Sequence, residues 1–345
     1  MPGSPSPVRT APRPRALAHW LLIVAAIVFV MVVIGGITRL TESGLSMVRW
    51  EPISGVIPPL NEAQWQAEFR GYKATPEYQK INRGMSLDEF KSIFFWEYLH
   101  RQIGRLIGLA MILPLAWFAC RRTVPRNYGA RLVALAALVV LQGAIGWWMV
   151  ASGLVDRPDV SHIRLAIHLV TALIFFSGLI WTALDLLDHD GNPEMRPARL
   201  HTLPAAVLAI LAIQITLGAF TAGLDAGFAF ASWPLMGDSL FPANGWHMHL
   251  SVIENIRDNP IVVQFMHRWW AWVAASGAIL LGFSARRKWP AAVYLITGLV
   301  AVQILLGIET LLSGVAIPIA AAHQAVAVLL LAALVVSAHK IGERA

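Results

Sequence analysis

GGITRLTESGLSMVRW, residues 35–50, has a counterpart in GAFTAGLDAGFAFASW, residues 218–233. Gly35 matches Gly218, Thr38 matches Thr221, Glu42 matches Asp225, Gly44 matches Gly227 and Trp50 matches Trp233. Self-similarity at long spacing marks an internal repeat, and the repeat organises the whole chain. The match continues outward through His100-Arg101 against His267-Arg268. Gln142, Gly146, Ser152 and Gly153 then align with Gln303, Gly307, Ser313 and Gly314, and His168 aligns with His323. The offsets fall steadily, 183, 167, 161, 155, as they should if the second copy simply has shorter loops.

Both copies are built on apolar runs. Of 345 residues, 57% are hydrophobic and 14% charged, and the mean hydropathy is +0.61, values of a membrane protein. Crossing the hydrocarbon takes about 20 residues. Eight such runs are present, near 17–38, 94–119, 132–153, 164–186, 203–223, 261–284, 290–312 and 316–338. Four spans per copy is an even number, so the second copy enters the membrane from the same side as the first, a parallel repeat. The expected fold is an all-α integral membrane protein, with eight transmembrane helices as two parallel-repeat four-helix bundles. The expected divisions are a tail at 1–16, a first bundle over 17–200 with a long loop at 41–92, and a second over 201–345 with a long loop at 222–260.

Loop charge orients the bundles. Arg9, Arg13 and Arg15 precede the first span, and every second connection is basic: Arg121, Arg122, Arg126 and Arg131, then Arg196 and Arg199, then Arg286, Arg287 and Lys288. Lys340 and Arg344 close the chain. The positive-inside rule therefore places both termini and these loops in the cytoplasm, and the expected location is a bacterial inner membrane. The net charge of +7 reads as topology. A nucleic-acid surface is a poor alternative, because the positive residues lie in separate loops rather than on one face. The two long loops carry Trp, Pro and Phe and are expected to fold as outer caps. Five prolines in the first 14 residues argue against an amphipathic targeting helix and for a disordered cytoplasmic tail. Cys120 is the single cysteine, so an intrachain disulfide and a thiolate metal cluster are both impossible.

The eleven histidines sort by position. His19, His189, His201 and His339 fall at cytoplasmic helix ends or loops, where snorkelling suffices. His162, His247 and His249 fall in outer loops, where metal binding or gating is open. His100, His168, His267 and His323 lie a turn or two inside outward-starting spans, two per bundle and at similar depth. An ionisable group there is costly and reads as functional. Two imidazoles facing each other across a bundle can clamp a haem iron, the bland alternative being hydrogen-bonded core residues. A di-iron carboxylate site is disfavoured, since Glu97-x-x-His100 occurs once and its partner reads Gln264-x-x-His267. Glu97 and His100 share a helix face. The carboxylate can serve as an acid–base or charge-stabilising group, or simply pair with Arg101. Arg101 and Arg268 suit haem propionates or interfacial anchoring. Glu309 has no repeat partner, since it aligns with Trp148. The paired glycines and serines of the third and seventh spans read as close-packing sites.

EYLHRQIGR, RLAIHLVTAL, QFMHRWWAW, AAHQAVAVLLL and the loop text GLSMVRWEPISGVIPPLNEAQW together resemble the haem A synthase family over almost the whole chain. The resemblance implies haem b as cofactor between His267 and His323, and haem O as substrate beside His100 and His168. It gives Glu97 a part in the reaction, which takes the methyl at porphyrin position 8 through an alcohol to a formyl group, with oxygen from water. An electron acceptor, a haem O synthase, cytochrome oxidase assembly factors and a homo-oligomer are the partners such a protein would have. Some members carry a cysteine pair in an outer loop; this chain has none. A quinol-oxidising di-haem cytochrome b would need the same four histidines without the carboxylate, and a transporter of parallel repeats would bind no haem.

Overall fold

The computed structural model describes residues 11–51, 54–155 and 158–343; residues 1–10 of the expected tail and Arg344 lie outside the described residues. The helices are α1 (Pro14–Leu40), α2 (Glu62–Lys73), α3 (Pro76–Lys80), α4 (Leu87–Cys120), α5 (Gly129–Val150), α6 (His162–Gly191), α7 (Thr202–Gly223), α8 (Val252–Asp258), α9 (Pro260–Ala285), α10 (Ala292–Leu312) and α11 (Ile317–Gly342). Seven of them, α1, α4, α5, α6, α7, α10 and α11, are long and apolar enough to cross a membrane. The count of eight is corrected at α9. That helix matches the others in length and packs against α7, α10 and α11, but Gln264, His267, Arg268 and three tryptophans make its first half too polar to qualify.

Helix ends follow local chemistry more than hydropathy. α1 begins at Pro14, a proline in the first turn where its missing N–H costs nothing, so 14–16 belong to the helix rather than the tail. α4 begins at Leu87, seven residues before the apolar run, because Ser86 and Glu89 form a reciprocal capping box. Glu97 and His100 therefore sit in the third and fourth turns of the helix. Pro114 within α4 leaves the Ala110 carbonyl without its helical donor. The Trp20 indole N–H of α1 supplies one, 2.7 Å away.

α1, α4, α5 and α6 form one neighbourhood and α7, α9, α10 and α11 a second; the two meet where α6 packs on α7 and α11 on α1 and α6. The aligned residues Glu42 and Asp225, just beyond the ends of α1 and α7, both adopt the left-handed conformation with φ 51°, uncommon for a side-chain-bearing residue. Arg39 pairs with Asp225 at 2.9 Å on the long-loop side. On the side of the termini, Asp185 of α6 holds Arg131, the Ala198 N–H and His339 of α11. His339 is fully buried, with its ring edge-on to Trp181 at 5.1 Å. This corrects the snorkelling expected of it: Asp185, an acid inside an apolar run, needed an interior partner.

The outer segment between α1 and α4 has a small core of its own. α2, α3 and the first turns of α4 enclose Phe69, Tyr72, Phe90 and Phe94. At its base Glu77 is only 4% exposed, with Oε2 unpartnered. Burial pushes its carboxyl from 4.5 up to about 8; a hydrogen bond with Tyr72 opposes the rise, and the Glu97, Glu42 and Asp159 carboxylates add to it. A folded-state value above the unfolded one means the folded cap holds the extra proton, so this contribution is complete below about pH 4.5 and is lost as pH rises through 8. Glu77→Gln is expected to remove that loss. Amide hydrogen exchange over 62–98 should then follow base catalysis alone between about pH 4.5 and 8 in the variant, and accelerate beyond it across that window in the parent.

Candidate haem site

Each of the four interior histidines is seated against a glycine of the neighbouring helix. A Cβ built on Gly35 of α1 would lie 2.9 Å from Cε1 of His100 on α4; on Gly146 of α5, 3.0 Å from His168 on α6; on Gly218 of α7, 3.0 Å from His267 on α9; on Gly307 of α10, 2.9 Å from His323 on α11. Gly146 and Gly307, read as packing positions, and the aligned Gly35 and Gly218 are thus where the backbone yields room to an imidazole. Their alignment in the two copies was the available signal. Gly307→Ala is expected to push the His323 ring off its seat, so that a low-spin bis-imidazole haem spectrum weakens or turns high-spin while the protein still folds. Gly298→Ala, also on α10 and with open space at its Cβ position, should leave the spectrum unchanged.

Three of the four imidazoles also meet a glutamine amide. Gln142 Nε2 lies 3.0 Å from His168 Nδ1 and donates to the His168 carbonyl at 2.8 Å. Gln214 makes the same pair of contacts to His267, both at 3.2 Å, and Gln303 Nε2 lies 3.3 Å from His323 Nε2. Groups that hold the second ring nitrogen fix the orientation of a metal-binding imidazole. His100 is the exception: the position on α1 that corresponds to Gln214 is Met31, and His100 Nδ1 has no hydrogen-bond partner among the described residues. The sequence reading aligned Gln142 with Gln303 without assigning them a role, and it missed Gln214 because its repeat partner is apolar.

His267 and His323 face each other with ring centres 6.5 Å apart and planes at 83°. Metal–nitrogen bonds of about 2 Å on each side, plus half a ring on each side, require a separation of about 6 Å. The pair therefore fits an iron held on both faces. His100 and His168 lie within electrostatic reach of each other in the other half. All four are half-buried, each with part of its surface open.

Glu97 and Arg101 form a latch on the outer loop. Glu97 is 3% exposed; its Oε1 accepts from Arg101 Nε at 3.0 Å and Nη2 at 2.6 Å, and its Oε2 from Ser46 Oγ at 2.7 Å and the Met47 N–H at 2.8 Å. Arg101 also donates to the Arg49 and Met47 carbonyls. In the second copy, Arg268 donates to the Ser232 and Phe230 carbonyls and to Gln264 Oε1. The Gln264 amide in turn donates to the Ala226 and Phe230 carbonyls. The difference between the copies thus has a local cause: the first loop offers Glu97 an O–H and an N–H, which call for an acceptor, whereas the second offers Gln264 carbonyls, which call for a donor. The pairing of Glu97 with Arg101, left open by the sequence, is present. Both arginines considered for propionates use their terminal nitrogens on loop carbonyls.

The remaining candidates lie apart from the two pairs. His162 is buried on the Phe220 ring and pairs with Asp258 at 3.1 Å. His247 and His249 stack on each other at 5.4 Å. Glu309 is exposed on α10, and Cys120 is free and exposed.

The multi-pass helical chain thus carries two repeat-related pairs of glycine-seated imidazoles, one pair with the ring separation that an iron held on both faces requires. Residues 18–335 match the family COX15-CtaA, described as cytochrome oxidase assembly protein, and the chain belongs to it. Relatives named "Heme A synthase" include that of Rhizorhabdus wittichii, 55% identical over 336 residues and covering 96% of each chain. That of Sphingopyxis alaskensis is 52% identical, covering 99% of this chain and 96% of its own. That of Rhodospirillum centenum is 49% identical, covering 96% and 90%.

Proposed function

We propose that this protein is a haem A synthase, an oxidoreductase that converts the position 8 methyl of haem O to a formyl group by two successive oxidations. The separation of His267 and His323, 6.5 Å between ring centres, carries the assignment of haem b to the second half. Haem b, when bound, supplies a one-electron redox centre. Gln214 and Gln303 hold both of its imidazoles, as befits a resident cofactor. In the first half only His168 is so held, and His100, free of an amide partner, suits a haem that must enter and leave. The names of the relatives support haem O as that substrate.

Each oxidation releases two electrons and two protons: in the first, one proton comes from the methyl and one from the water that supplies the alcohol oxygen; in the second, both come from the alcohol. The electrons leave to an acceptor outside the chain. Arg101 and Glu97 hold residues 46–49 as a lid at the outer end of the first half, where it limits entry of bulk water. In this reading Glu97, three residues before His100 on α4, is also the group that takes a proton from attacking water. Both termini and the basic loops face the cytoplasm of a bacterial inner membrane. Haem O arrives from its synthase, and haem A passes to oxidase assembly factors.

Pigment extraction from cells expressing the protein with and without a haem O source is the direct test. Haem A should appear only with haem O, and His100→Ala or His168→Ala should abolish it while haem b stays bound. Loss of haem b with normal conversion in those variants would reverse the halves. Tight haem b in both halves and no haem A would favour an electron-transferring cytochrome b.

A further inference from the structure

The first helix carries two consecutive glycines, and they serve different neighbours. Gly35 seats the His100 ring of α4. Gly36, buried and about a third of a turn around, receives a side chain from the other half: a Cβ there would lie 1.8 Å from Oε1 and 2.7 Å from Cδ of Gln324 on α11. The Gln324 amide donates to the Val32 carbonyl at 2.8 Å. This carbonyl is one turn before Gly36, so the amide lies in the notch along the helix. Gln324 directly follows His323. One stretch of α11 thus carries an imidazole of the second pair, and its next side chain is keyed into the helix that seats an imidazole of the first.

The arrangement is one-sided. In the repeat, Gly36 corresponds to Ala219 and Gln324 to Leu169, so the related junction of α6 with α7 has neither notch nor amide. Among the described residues, the other polar side-chain ties between the halves lie at the two ends, Arg39 with Asp225 and His162 with Asp258 on one side and Asp185 with His339 on the other. Val32 to Gly36 lies between them, in the apolar layer, where an amide without a partner is costly.

We propose that Gln324 is a positioning residue that couples the two histidine pairs: seated in the Gly36 notch, it holds α1, and with it the Gly35 seat of His100, in register with the His323 region of α11. The inference deepens the haem A synthase reading, and its first readout does not need haem. His100 has no amide partner of its own, so its ring orientation rests on the α1 seat. His168 is seated on Gly146 of α5 and held by Gln142, out of reach of the change, and is the internal control.

The test uses the full-length protein in detergent, modified with diethyl pyrocarbonate and read by peptide mass spectrometry. Gln324→Leu keeps bulk and removes the amide; Gly36→Ala fills the notch and expels it. Both variants should raise carbethoxylation of His100 several-fold relative to His168, and leave unchanged the low-spin haem b spectrum of the His267 and His323 pair. In the loaded enzyme, haem A yield should fall at constant haem b. An unchanged ratio of His100 to His168 in both variants overturns the proposal, as does a parallel rise at all four histidines with loss of haem b, which would mean general loosening. A parent protein that binds no haem would sink the haem A synthase reading and leave the modification result to stand or fall by itself.

Discussion

Alanine at His267 or His323 is expected to strip low-spin haem b from the purified protein, leaving at most a weak high-spin remnant. The two rings stand 6.5 Å apart, so each supplies one face of the iron and neither is replaced by a neighbour. The residues aligned with the Glu97 carboxylate and the Met31 thioether are amides in this half, Gln264 and Gln214, and both are engaged in hydrogen bonds. A six-coordinate low-spin iron needs both axial nitrogens; removing one leaves a five-coordinate, high-spin and more weakly held haem. The fold should survive, because the four-helix packing rests on apolar contacts elsewhere. Circular dichroism and the visible spectrum on the same sample separate the outcomes, and full retention of the low-spin spectrum in both variants would overturn the assignment of the cofactor half. Gln303→Leu, which only frees the His323 ring, should shift that spectrum or its midpoint potential without emptying the site.

Much of this was legible because the repeat is written in residues that the fold cannot change. Gly35 and Gly218, Gly146 and Gly307, and the four histidines align because each pair is one contact made twice. Hydropathy located the helices but misjudged their ends. Ser86 starts α4 well before the apolar run, since a capping box acts on backbone donors that hydropathy does not sense. It also counted α9 as a span like the others, although the residues that make that helix chemically useful make it less apolar. His339 looked like a surface histidine because its partner, Asp185, lies 154 positions away, and no local pattern joins them. The Gln324 contact with α1 crosses 292 positions and breaks the repeat rather than following it, so alignment of the two copies hides it. The exchange of Glu97 for Gln264 was visible, but its local reason lay in the polarity of two loops whose paths only the structure traces.

Glu97→Gln is expected to cut haem A formation sharply while leaving haem b in place, and the geometry says why so small a change matters. An amide at residue 97 has one acceptor where the carboxylate has two. If its oxygen faces Arg101, its NH2 points at the Met47 N–H and the Ser46 hydroxyl; if it turns, the NH2 points at Nε and Nη2 of Arg101. Either way a donor meets a donor in a nearly dry place, the circumstance in which an unsatisfied group costs about 1 to 3 kcal/mol. The lid over 46–49 should loosen, and any proton transfer carried by the carboxylate is lost with it. Loss of a positioned acid–base group alone typically costs a factor of about 10² to 10⁴. Arg101→Met separates the two contributions, since it breaks the latch but keeps the carboxylate. If Glu97 acts only by holding the loop, both variants should lose haem A formation to a similar degree and accumulate haem O. If it also takes the proton from attacking water, Glu97→Gln should fall well below Arg101→Met at equal haem b content. Near-normal haem A from Glu97→Gln would sink both roles and leave the chemistry to water and the bound haems.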